Sequence, residues 1–161
     1  MKERPILFSA PMVRALLAGT KTQTRRILKQ QPNPSMVTFS EPYTKLHGTQ
    51  TWFLGLGNSQ RITCPYGQPG DRLWVRETWC GPLFSGELPE DWQDAKYKTP
   101  THCHYRASGD SCDFVDADDN HQQRWTPSIF MPRWASRITL EVTGVRVERL
   151  QDISESDAID E

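Results

Sequence analysis

Apolar positions recur along the chain with two periods. Met12, Val13, Leu16 and Leu17 fall on one face at helical spacing and predict a short helix over 11–18. Ser9 stands where a helix cap is expected, and Pro11 suits the first turn. Gly19 is placed to end the helix in the left-handed conformation. Elsewhere the period is two. Residues 4–8 read as a short strand. In 72–77, Leu73, Val75 and Glu77 share one face, and Arg72, Trp74 and Arg76 the other. The turn Gly67-Gln68-Pro69-Gly70-Asp71 introduces that strand. Ile138, Leu140 and Val142 alternate through 137–143; Gly144 marks a bulge or bend, and Val145 and Val147 extend the strand beyond it.

Between these segments the pattern weakens. Residues 29–60 carry Pro32, Pro34 and Pro42 with short aromatic stretches such as 51–54, and read as a long connection with one or two short strands. Another short strand is expected at 61–65 and a further one over 102–107. Residues 81–100 read as a surface insertion, and the acidic stretch 109–123 as a solvated loop. Pro127 and Pro132 forbid a regular helix or central strand through 125–134, so a rigid aromatic loop is expected, serving either as a core plug or as a pocket wall. Ser154-Glu155-Ser156-Asp157 resembles a capping box; the helix it opens has barely begun at Glu161, so the chain is expected to end inside a helix. Several strands with two helical patterns predict an α+β, mainly β fold: a small closed or nearly closed β-barrel with peripheral short helices and long loop insertions. At 161 residues this is one domain, 1–161, with insertions at 29–60 and 81–123.

Composition narrows the function classes. Six Trp and twelve Pro fit a loop-rich fold better than a helix bundle. Net charge is -1, so nucleic-acid binding must rest on a local patch. The first 30 residues are basic, whereas 110–121 and 152–161 are acidic. No apolar run reaches the ~20 residues of a membrane span and no signal-peptide core is present, which predicts a cytoplasmic protein without a membrane partner. Cys64, Cys80, Cys103 and Cys112 form no CxxC pair, and no disulfide framework is expected in a reducing compartment. His102, Cys103, His104, Cys112 and His121 match no structural-zinc spacing, so neither a metal nor another cofactor is expected.

The densest chemistry follows the helix stop. Gly19-Thr20-Lys21-Thr22-Gln23-Thr24-Arg25-Arg26 sets an amine, three hydroxyls and two guanidiniums behind a glycine turn. Cations and hydroxyls at a helix-to-strand turn suit an anion or nucleotide site; they also suit a plain solvated basic edge. In an ideal strand Lys21 and Thr24 face opposite ways, so a shared site requires the backbone to bend between them. Glu77 either stands at the mouth of a barrel or pairs with Arg72 or Arg76 at the surface.

Three stretches carry a resemblance: Leu17–Arg26, Pro69–Glu77, and the final strand with its helix start at 137–161. They resemble the ASCH domain family, whose fold is a PUA-like β-barrel. Trp125 to Arg137 is similar to bacteriophage and prophage members, and the insertions are not covered. The resemblance implies binding of RNA or a modified nucleoside. It implies, as one activity, amide hydrolysis of an N-acylated pyrimidine nucleoside such as N4-acetylcytidine. The family's catalytic lysine falls on Lys21, its threonine on Thr24 and its glutamate on Glu161. Arg25, Arg26, Arg76, Glu77, Trp125, Ser128, Met131 and Arg133 are the expected substrate-binding residues. In such chemistry Thr24 supplies the nucleophile, a desolvated Lys21 takes its proton, and Glu161 either protonates the leaving amine or guides water in deacylation. Backbone amides at the Gly19 turn, or Arg26, hold the oxyanion. A non-catalytic RNA- or nucleotide-binding module uses the same residues, and a ribonuclease is a third reading, although no clear histidine pair is present.

Overall fold

The computed structural model describes residues 1–28, 51–54, 60–84, 90, 93–115 and 121–159. The expectations for 29–50, for part of the 81–100 insertion and for Glu161 lie outside the described residues. The fold is α+β and mainly β. The chain forms two compact units of interleaved segments. The first comprises Met1–Arg4, Thr20–Leu73 and Glu141–Glu161; the second comprises Pro5–Gly19 and Trp74–Leu140.

Three strands, β1 (Glu3–Leu7), β4 (Arg72–Arg76) and β9 (Thr139–Glu141), form one sheet in the order β1-β4-β9. The hydrogen bonds fix its sense. Arg72 N donates to Lys2 O and Phe8 N to Arg76 O, so β1 and β4 run parallel. Val142 N donates to Asp71 O and Val75 N to Ile138 O, so β9 runs antiparallel to β4. Three two-stranded ribbons accompany this mixed sheet. They are β2 (Thr51–Leu54) with β3 (Gln60–Thr63), β5 (Trp79–Cys80) with β6 (His104–Tyr105), and β7 (Asp113–Val115) with β8 (His121–Gln123). Among the described residues no sheet closes on itself.

In the first unit, Asp71 anchors the chain start. Its Oδ1 accepts from Lys2 N at 2.8 Å and its Oδ2 from Gln68 N at 3.3 Å. The backbone bond from Lys2 is the main reason its carboxyl titrates below the ordinary value. Val145 and Val147, expected to prolong the last strand, lie in irregular backbone. The chain then reaches the short helix α2 (Glu155–Ile159), where Asp157 N donates to Ser154 Oγ at 3.1 Å as a cap.

In the second unit, helix α1 (Ala10–Leu17) follows the predicted pattern, with a proline in its first turn. Of its apolar face only Val13 is fully buried. Gly19 has φ +73°, the left-handed conformation that ends the helix without a Cβ penalty. The core gathers Trp79, Cys103, Tyr105, Met131 and Ala135, with Trp134 packed edge-on to Trp79 at 5.5 Å. Two corrections fall here. Cys80 and Cys112 form a disulfide, which the absence of a CxxC pair did not suggest. The polar stretch 109–123 contains the antiparallel pair β7–β8 rather than loop alone. Gly81 is required by close approach: with φ +151°, a Cβ there would lie 2.8 Å from His102 O. The Gly81–Pro82 peptide is cis.

Candidate functional site

Lys21, in the first unit, is a buried cation, only 4 % exposed. Residues 20–28 pair with no strand, so the backbone is not the regular extended strand that would send Lys21 and Thr24 to opposite faces. The Lys21 ammonium donates from Nζ to Gln23 O at 2.7 Å, folding back along its own segment. Thr24 is half-buried.

The segment is held by polar ties to the C-terminal part of the same unit. Gln23 donates from Nε2 to Asp157 Oδ1 at 2.7 Å and accepts from Arg146 Nη2 at 3.1 Å. Arg25 donates from Nε to Glu148 Oε1 at 3.0 Å and from Nη1 to Asp157 O at 3.0 Å. Arg146 completes the cluster, with Nε 3.0 Å from Glu148 Oε2 and Nη2 2.9 Å from Asp157 Oδ1. Hydrogen bonds from Gln23, Arg146 and Ser154 hold the Asp157 carboxyl well below the usual carboxylate range, and Asp157 in turn raises Arg146.

Two guanidiniums face two carboxylates in this cluster, so its formal charge sums to zero. Arg25 therefore clamps the segment rather than offering a free phosphate ligand. Arg26 is exposed, and its Nη1 donates to Arg25 O at 2.7 Å. The turn amides are also committed. Ala18 N donates to Arg14 O and Gly19 N to Leu16 O, so these two are not available to an oxyanion, contrary to the expectation for the Gly19 turn. Glu161 lies outside the described residues.

The second unit holds the other expected residues. Glu77 is 1 % exposed, so it does not form the surface pair that the sequence allowed. Its partner is Arg137, not Arg72 or Arg76: Arg137 Nε lies 2.9 Å from Oε1 and Nη2 3.0 Å from Oε2, a bidentate fork. Arg137 also donates from Nη1 to Ser108 Oγ at 2.7 Å and stacks over the Tyr105 ring at 3.9 Å. Tyr105 donates its hydroxyl proton to Ala135 O at 2.8 Å, and burial pushes its phenol well above the usual range. Burial likewise raises the Cys103 thiol to about 11. Sequence reading missed Arg137 as the partner of Glu77; the alternation through 72–77 pointed Glu77 inward, but nothing local marked a partner 60 residues away.

The aromatic loop 125–134 divides its roles. Two 3-10 turns, Ser128–Phe130 and Arg133–Ala135, form along it, and Pro127 and Pro132 rule out one regular helix through the stretch. Met131 is a core residue, and Glu77 N approaches its Sδ at 3.3 Å. Trp125 and Ser128 are half-buried, while Ile129 and Phe130 stand exposed. Arg76 donates from Nη2 to Ile129 O and lies over the Trp74 ring at 5.4 Å. Arg133 lies over the same ring at 6.0 Å and donates to Thr139 Oγ1 at 3.3 Å.

Among the described residues, no cluster of three His, Cys, Asp or Glu is placed to hold a metal ion. No described helix is long and apolar enough to cross a membrane. No protein-family model, curated protein or solved structure matches the chain.

Proposed function

We propose that the chain is an ASCH-type protein with a PUA-like barrel architecture that binds RNA or a modified nucleoside at the Lys21 segment. We assign it amide hydrolysis of an N-acylated pyrimidine nucleoside such as N4-acetylcytidine. The observation that carries this reading is the burial of Lys21, 4 % exposed in a segment strapped down at Gln23 and Arg25. A solvated basic edge would leave its ammonium in water. A lysine withdrawn from water is instead suited to proton transfer.

In this reading Thr24 Oγ adds to the acetyl carbon while Lys21 Nζ, as the neutral amine, takes the hydroxyl proton. The C4 amine leaves with a proton delivered by Glu161. Water then hydrolyses the acyl-threonine and releases acetate. The test is incubation of the purified protein with N4-acetylcytidine, separating nucleosides by chromatography. Formation of cytidine with stoichiometric acetate is expected; intact substrate after prolonged incubation at high enzyme concentration would overturn the hydrolytic assignment.

A second reading, an RNA-binding module without catalysis, is favoured by one feature: the arginine-flanked Trp74 beside exposed Ile129 and Phe130. It predicts nucleoside or RNA binding without turnover.

A further inference from the structure

The exposed tip of the loop at 128–130 has no role in the core. Phe130 is 67 % exposed and Ile129 53 %, although both belong to a tightly constrained turn. Pro127 precedes the turn and Pro132 follows closely, while buried Met131 anchors its end. An aromatic ring held out on a braced turn loses little conformational freedom when something stacks on it.

Its surroundings are cationic and aromatic. Arg76 is bonded to the Ile129 carbonyl, and Arg76 and Arg133 both lie over Trp74. These contacts join Trp74, Arg76, Arg133 and the Ile129 carbonyl within the second unit, and exposed Phe130 follows Ile129 in the same turn. Size decides between classes of partner. A stable protein interface needs about 800 Å² on each side, far more than two adjacent apolar side chains supply. One exposed ring beside two guanidiniums instead matches a single base and its neighbouring phosphates.

We propose that this face docks a single-stranded nucleic acid, with one base stacked on Phe130 and the backbone phosphates drawn to Arg133 and Arg76. The proposal rests on the RNA-binding reading above and names its strandedness and contact surface. A duplex keeps its bases stacked on each other and offers no free face to Phe130, so duplex binding should be weak.

The test is fluorescence anisotropy of a labelled oligouridine 12-mer, alongside an oligothymidine 12-mer and a 12-base-pair RNA duplex, at two salt concentrations. Wild type should bind the single strands at least tenfold tighter than the duplex; unequal binding of the RNA and DNA strands would identify which sugar the face accepts. Phe130→Ala should weaken single-strand binding roughly tenfold, and Phe130→Trp should restore it. Arg133→Gln should reduce the magnitude of the salt slope by about 0.7, as expected for one lost phosphate contact. Equal affinity of wild type and Phe130→Ala would overturn the face while leaving RNA binding at the Lys21 segment intact. Absence of any oligonucleotide binding would also overturn the face, and the N4-acetylcytidine assay then judges the Lys21 reading separately.

Discussion

Glu77 and Arg137 form an unequal pair. The carboxylate side chain is 2 % exposed and the guanidinium 23 %. Losing the guanidinium strands a charge with almost no access to water, whereas losing the carboxylate leaves a cation that still reaches solvent. Arg137→Met should therefore cost about 3–5 kcal/mol, and Glu77→Gln, which retains hydrogen-bonding capacity, about 1–2 kcal/mol. Urea unfolding of both variants measures the asymmetry; equal costs would contradict it. The same inequality explains why Glu77 was legible only halfway. Alternation in 72–77 turned it inward with Val75, but local sequence suggested Arg72 and Arg76 as partners. Those two lie on the other face of the strand, and the true partner is brought in by the fold.

Among the elements, the 20–28 segment forms neither helix nor strand, yet it is tied by side chains at Gln23 and Arg25. Asp157 is central to those ties, and its folded-state pKa lies below the ordinary 3.8. A depressed carboxyl contributes stability that is fully present above the unfolded value and is lost as pH falls through the folded one. Denaturation midpoints measured from pH 7 down to 2.5 should fall less steeply for Asp157→Asn than for wild type. Parallel pH profiles would show that Asp157 contributes nothing to stability.

Helix α1, its glycine stop and β4 were readable because each carries a strong local period or a turn residue. Strand β5 and the β7–β8 pair were not. Two residues, Trp79 and Cys80, are too few to show alternation, and β7 and β8 are three-residue strands set in polar and acidic sequence. Val145 and Val147 illustrate the opposite error: β-branched residues at alternate positions do not form a strand without a partner edge.

At the scale of the whole molecule, stability and function draw on different residues. The Cys80–Cys112 bridge closes a 32-residue separation within the second unit. A loop of that size corresponds to about 3–4 kcal/mol in the chain-entropy account. Unreduced protein, unfolded in the presence of an alkylating agent, should label at Cys64 and Cys103 alone; after reduction all four cysteines should label. In the folded protein Cys64 should react faster than Cys103, whose thiol is buried and raised to about 11. Four labelled cysteines without reductant would refute the bridge. The bridge was hidden from sequence reading by an assumption about compartment, not by the residues.

In the proposed function, the buried amine of Lys21 acts on a nucleoside. Arg25 is committed to Glu148 and Asp157, so electrostatic attraction at this segment is not its main asset; Lys21 is. The most direct measurement is the rate of cytidine release from N4-acetylcytidine by wild type and Lys21→Ala, each first shown to share the wild-type unfolding midpoint within about 1 kcal/mol. The account predicts steady release by wild type and a loss of at least a hundredfold in the variant, in keeping with the removal of a general base. Release by Lys21→Ala at the wild-type rate, or none by wild type, would contradict it.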